Sequence, residues 1–261
     1  MKKRFIWFTV FWAIMLNFTI IVNTALCKID QRSIVGLWLF EEPDGLIARD
    51  FSGNGHDGQL KGAPVRVAGK YGKALELAGK DYVNVPDAAS LSIGKQFSMQ
   101  LWFYAKDISN WRQFIAKDNE YLFRIDPPVE SNKISAFIKA GGAWEPRVSA
   151  SVPELEKWTH VATTYDGDLV KIYVNGVSSG QGSRPGGVSP TNNPLEFGRW
   201  GGGLLGDDIG YFIGMFDEIA IFNVALTESD VLEAMDGLQR FRASVDISGK
   251  LTLTWGSIKK E

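Results

Sequence analysis

The 261-residue chain is 45% hydrophobic, 12% aromatic and 22% charged, with 28 glycines and 10 prolines spread along it, which excludes a disordered class. A formal net charge of −2, with no block of Lys and Arg interleaved with aromatics, argues against nucleic acid and anionic membrane surfaces as partners. Cys27 is the one cysteine, so the folded part is expected to have neither a disulfide nor a thiolate metal site.

Met1-Lys2-Lys3-Arg4, the apolar run from Phe5 to Val22 and then Asn23-Thr24-Ala25-Leu26-Cys27 predict a secretory signal over residues 1–27, cleaved after Ala25 or Cys27. The run is also long enough for a retained membrane anchor, the alternative reading. Leu26 is too bulky for the usual lipidation signal before Cys27, which makes lipidation the lesser option. Removing the segment takes Lys2, Lys3 and Arg4 with it and leaves the 30 acidic residues in excess. The expected localisation is therefore secreted or cell surface, with a membrane contact only if the anchor is kept.

From Ser33 onward, short β-branched and aromatic runs alternate with Gly, Asn, Asp or Pro, the signature of antiparallel strands. Strands are expected at 34–40, 74–77, 82–85, 97–104, 133–138, 158–165 and 169–174. Phe97, Met99, Leu101 and Phe103 alternate with other residues, so one face of that strand meets a core. Asp166-Gly167 and Asn175-Gly176 are tight-turn signals. One helix is expected over 226–235, with Thr227 and Asp230 as a capping box and Val231, Leu232 and Met235 as its apolar stripe. Many strands, one short helix and no βαβ rhythm predict an all-β, two-sheet antiparallel sandwich or jelly roll. It is expected as a single domain over 28–237. A C-terminal tail over 238–261 follows, in which Ser248-Gly249-Lys250 joins two apolar-alternating runs as a β-hairpin.

Three stretches carry a family resemblance. Tyr71-Gly72-Lys73-Ala74-Leu75-Glu76-Leu77 with Asp81-Tyr82-Val83-Asn84-Val85-Pro86 is the first. Trp158-Thr159-His160-Val161-Ala162-Thr163-Thr164-Tyr165-Asp166-Gly167 running to Lys171-Ile172-Tyr173-Val174-Asn175-Gly176 is the second. The third runs from Phe212 to Thr227 through Asp217-Glu218-Ile219-Ala220-Ile221-Phe222. In order and spacing they resemble the laminin G-like jelly-roll domains of the concanavalin A-like lectin/glucanase superfamily, over roughly residues 33–237. The fold hosts lectins, adhesion modules and glycosidases, so function rests on the site.

Asp50-Phe51-Ser52-Gly53-Asn54-Gly55-His56-Asp57-Gly58 places oxygen-bearing side chains at alternate positions in a glycine-rich turn, as a hard cation needs. An EF-hand is rejected, because its twelfth position would be Lys61 and no flanking helices are apparent. The resemblance implies a structural calcium held by Asp50, Asn54 and the His56 carbonyl, with Asp217 from the closing strand and Glu41 from the first strand. The alternative is that Asp50 and Asn54 only cap a turn.

Trp111, Trp144 and Trp200 fall in loop-like contexts beside Arg112, Arg147 and Arg199. Aromatic faces with neighbouring donors suit sugars, so these six are the candidate ligand-binding residues, against the alternative that they cover loop edges. Trp38, Trp102 and Trp158 fall in strands and are expected in the core or at a sheet edge.

No Gly-x-Ser-x-Gly, His-Glu-x-x-His or phosphate loop appears. Asp217-Glu218 is the nearest match to a paired-carboxylate glucanase strand, but strand alternation should point Glu218 to the opposite face from Asp217. His160 reads as a hydrogen-bonded structural histidine and His56 as part of the turn. The expectation is a non-catalytic module binding a glycan or an extracellular or cell-surface protein. Its rivals are an adhesion module without a small ligand and, behind it, a glycosidase.

Overall fold

A computed structural model describes residues 29–92, 94–201 and 210–242 of the chain. The expected signal and the tail hairpin lie outside the described residues.

Sixteen strands are found among them: β1 (Ile34–Trp38), β2 (Ile47–Ala48), β3 (Gly58–Lys61), β4 (Val65–Ala68), β5 (Lys73–Ala78), β6 (Tyr82–Val85), β7 (Phe97–Ala105), β8 (Arg112–Lys117), β9 (Tyr121–Ile125), β10 (Ile134–Ile138), β11 (Val148–Ser149), β12 (Trp158–Tyr165), β13 (Leu169–Val174), β14 (Val177–Ser183), β15 (Leu195–Phe197) and β16 (Ile213–Phe222). One helix, α1 (Glu228–Met235), follows. All strand pairs named here are antiparallel. The first sheet runs β14-β13-β12-β7-β16-β5-β4, with β1 also on β16, and the second runs β11-β10-β9-β8-β15-β6-β3-β2.

The alternation in β7 does what its pattern dictates. Phe97, Met99, Leu101 and Phe103 enter the core between the sheets, with Phe114, Phe123, Phe197, Phe212 and Phe216. Phe114 and Phe212 are 5.7 Å apart edge to face, and Phe212 stacks on Phe216 at 4.2 Å, geometries that add to burial. Trp38 is fully buried in the same core and donates its indole N–H to the His56 carbonyl at 2.9 Å.

A second apolar layer covers the outside of the first sheet. Ala162, Tyr173, Ala220 and Phe222 meet Val231 and Ala234 of α1, with Leu238 and Phe241 beyond the expected domain end. The Thr227–Asp230 capping box forms as expected. The stripe is rotated from expectation: Val231 and Ala234 are buried, whereas Leu232 is 44% exposed.

Candidate functional site

The outer face of the second sheet gathers most of the candidate ligand residues. Phe137, Leu122, Ala116, Glu196 and Asn84 stand opposite one another on successive strands β10, β9, β8, β15 and β6. Ala116, Leu122 and Phe137 form a small apolar cluster under Trp144 and Trp200. The two indoles meet edge to face at 6.0 Å, and Trp200 Nε1 donates to Asp118 Oδ1 at 2.8 Å. Both are half-buried, so each packs on the sheet and keeps part of its ring open to solvent.

Arg147 lies over the Phe137 ring at 5.4 Å, joined there by Arg124 at 4.5 Å. Arg124 Nε is 2.8 Å from Asp126 Oδ1, and Glu130 bridges both guanidiniums. Arg199 lies over the Tyr82 ring at 4.5 Å and 3.6 Å from Glu196. Burial pushes the Glu196 carboxyl up, against hydrogen bonds from Gly201 and Asn84 and the charge of Arg199.

Two of the six expected residues are placed differently. Arg112 is buried and bonds Asp107, the Asp107 carbonyl and the carbonyls of Trp111 and Tyr211. Four of its five N–H donors hold the entry to β8, and the side chain is buried. Trp111 is half-buried at that entry, beside Gly210.

Sequence reasoning missed Arg184. Its buried guanidinium donates to the carbonyls of Ile138, Ala140, Ala143 and Glu145, so it fastens the loop that carries Trp144. Its own carbonyl accepts from the Tyr165 hydroxyl at 3.0 Å. An Arg directly after a glycine-containing strand resembles a solvated charge, and nothing local signals this role.

The five expected calcium ligands divide into two groups. In the turn, Asp50 Oδ1 accepts from the N–H groups of Leu37 and Ser52, and Oδ2 from that of His56. Asn54 turns its amide nitrogen to the carbonyls of Ile34 and Val35. The Asp50 carboxylate and the Asn54 amide nitrogen are thus engaged by the backbone, as in the turn-capping alternative. Glu41 and Asp217 come together elsewhere. Glu41 Oε1 accepts from Lys73 N at 2.9 Å and Asp217 Oδ2 from Tyr71 N at 2.9 Å. Asp217 Oδ1 is buried without a partner. Burial pushes Asp217 up to about 8, and the charges of Glu218 and Glu41 add to the rise.

Glu218 departs from the expected alternation. A bulge interrupts β16 between Asp217 and Ala220, and Glu218 takes φ 49°. Phe216 and Ile219 therefore both face the inner core, while Glu218 Oε2 accepts from Leu238 N at 2.5 Å in the outer layer. Both carboxylates lie on the outside of the first sheet. Burial pushes Glu218 up to about 7. An orphaned carboxylate oxygen beside two more acids fits a cation. Among the described residues no three His, Cys, Asp or Glu side chains form a metal-holding group, so backbone carbonyls would complete the shell.

His160 is fully buried, and its Nε2 is 2.5 Å from Gln100 Oε1, consistent with a structural histidine. Trp102 is buried on the same outer face of the first sheet, its ring 5.3 Å from that of His160. Trp158 is half-buried against Tyr104.

The comparisons agree with this architecture. Human pappalysin-1 is 30% identical over 82 residues, 31% of this chain and 5% of that protein. Among solved structures, the chain is similar to domain 4 of AbnA, a GH43 extracellular arabinanase from Geobacillus stearothermophilus, in complex with arabinotriose. The TM-score is 0.60 and the identity 24%, covering 77% of this chain and 97% of that one. The binding domain of Paraclostridial Mosquitocidal Protein 1 matches at TM-score 0.64 and 17% identity, covering 78% of this chain and 52% of that one. The binding domain of botulinum neurotoxin DC, in complex with SialylT, matches at 0.60 and 16%, covering 79% and 51%. At these identities the likeness is one of fold. The model of the concanavalin A-like lectin/glucanases superfamily matches residues 77–232, and this chain belongs to that superfamily.

Proposed function

We propose that the chain is a non-catalytic recognition module that binds carbohydrate on the outer face of its second sheet. The observation that carries this reading is the Trp144–Trp200 pair, two half-open indoles bordered by Arg147, Arg199 and Asp118, the combination of aromatic face and directed polar groups that sugars need. The arabinotriose and SialylT complexes of fold neighbours support it. Against catalysis on this face, Asp118 holds the Trp200 indole and Glu196 holds Gly201 N and Arg199, so both carboxylates brace the loop. The Asp217–Glu218 pair lies on the other sheet.

A structural calcium is part of the same proposal, favoured by the unpartnered Asp217 Oδ1. Asp217 and Glu41 would hold it, and its charge would offset the crowding of acids there. Export to the surface or medium rests on residues 1–27 alone.

Binding of the chain to a glycan array, repeated with Trp144→Ala and Trp200→Ala, tests the reading. Loss of signal in both variants with unchanged melting supports it. Capture of proteins but of no glycan would favour the adhesion alternative, and release of reducing sugar from mixed polysaccharides would favour a glycosidase.

A further inference from the structure

The sequence that follows Arg242 has one apolar face. A three-residue loop at Ser248-Gly249-Lys250 pairs Ile247 with Leu251, Val245 with Leu253 and Ala243 with Trp255, and residues paired across a hairpin share a face. Ser244, Asp246, Thr252 and Thr254 fall on the other. An isolated two-stranded hairpin is marginal in water, so this apolar face needs a surface to cover it.

The chain delivers it to such a surface. Leu238 and Phe241 are buried in the outer layer with Phe51, and the Arg242 guanidinium lies 4.9 Å over the Phe51 ring. Arg242 also lines a cleft of about 320 Å³ together with Leu46 and Ile47. These two are 65% and 44% exposed, apolar side chains left open beside the point from which the chain continues. At about 3.3 Å per extended residue, Val245 and Ile247 reach about 10 Å and about 17 Å beyond Arg242, far enough to meet both.

The contact on offer is made by side chains rather than by backbone pairing. β2 is the last strand of the second sheet, but Arg66 Nη1 and Nη2 already donate to the Gly45 and Ile47 carbonyls at 2.8 and 2.6 Å. That occupies the edge an added strand would use. The exposed Asp44 on the same cleft is opposite in charge to Lys250 at the hairpin turn.

We propose that residues 243–255 form a hairpin that docks its apolar face on Leu46 and Ile47, so that the chain covers this cleft with its own C-terminal segment.

Disulfide trapping in the full chain tests the docking. With Cys27→Ser as background, oxidation of Leu46→Cys with Ile247→Cys should link the two positions within one chain, read by peptide mapping of the monomer. Val129→Cys, 88% exposed between β9 and β10, should stay unlinked when combined with Ile247→Cys. Without any added thiol, Leu46→Asp should speed tryptic cleavage at Lys250 several-fold, and ending the chain at Arg242 should raise deuterium uptake at 43–47. A link between two chains instead of within one assigns the cleft to a second copy and overturns the proposal. Equal linking in both pairs, or none in either with cleavage at Lys250 unchanged by Leu46→Asp, means that the segment does not dock here and also overturns it. Uptake at 43–47 that truncation leaves unchanged means that the cleft is open in the whole chain, free for an outside partner, and overturns it as well.

Discussion

Trp200 and Asp118 are joined by an indole N–H to carboxylate hydrogen bond of 2.8 Å across 82 residues of sequence. That bond fixes the ring's tilt over Ala116 and Leu122. Asp118→Ala should therefore weaken glycan binding about tenfold, near 1.4 kcal/mol, with little change in melting temperature. Titration calorimetry beside a thermal melt checks it. A melting point that falls in step with affinity would make Asp118 a stability residue.

Arg184 should act on the same loop from behind. Arg184→Lys keeps the charge but not the planar fork that reaches four carbonyls, leaving buried acceptors short of donors. Binding should fall and proteolysis between Ala140 and Glu145 should quicken, read by mass spectrometry of limited digests. An unchanged digest pattern would remove Arg184 from the site.

Calcium should raise the melting temperature and excess chelator lower it, because a ligand of the native state alone stabilises by mass action, about 2.7 kcal/mol at a hundredfold excess over Kd. Asp217→Asn should abolish the difference and Asp50→Asn should not, since Asp50 is engaged by the backbone. Identical midpoints with calcium and chelator would dismiss the cation.

Much of the architecture was legible in the sequence, and the reason is local. The expected runs at 82–85, 158–165 and 169–174 coincide with β6, β12 and β13, because alternation and the Asp166-Gly167 turn are properties of adjacent residues. The candidate face was legible only in part. Trp144, Arg147, Trp200 and Arg199 carry their signal in their own chemistry, whereas the roles of Asp118, Arg184 and Glu130 depend on partners far along the chain. The bulge at Glu218 has no compositional mark, so alternation placed its carboxylate on the wrong face.

Burial holds His160 neutral and lowers its pKa to about 3, against about 6.5 unfolded. The unfolded chain therefore takes up a proton that the folded one refuses. Stability from this group is complete above pH 6.5 and declines as pH falls towards about 3, by up to about 1.4 kcal/mol per pH unit. Chemical denaturation of the chain and of His160→Gln between pH 7 and pH 4 measures it. Parallel slopes for the two proteins would assign the acid sensitivity elsewhere.

The single surplus residue at Glu218 divides β16 into two half-strands of opposite phase. The first half, Ile213–Phe216, lies against β5, and the second, Ile219–Phe222, against β1. The phase change falls where the strand exchanges one neighbour for the other. Deleting Glu218 would restore one unbroken alternation through β16, with Ile219 and Ile221 still in the inner core and Ala220 and Phe222 still beneath α1, and would remove the bond from Leu238 N to the Glu218 carboxylate. Relatives without the extra residue can be superposed on this strand only by admitting a one-residue gap there. An ungapped alignment would match core positions on one side of the gap to surface positions on the other.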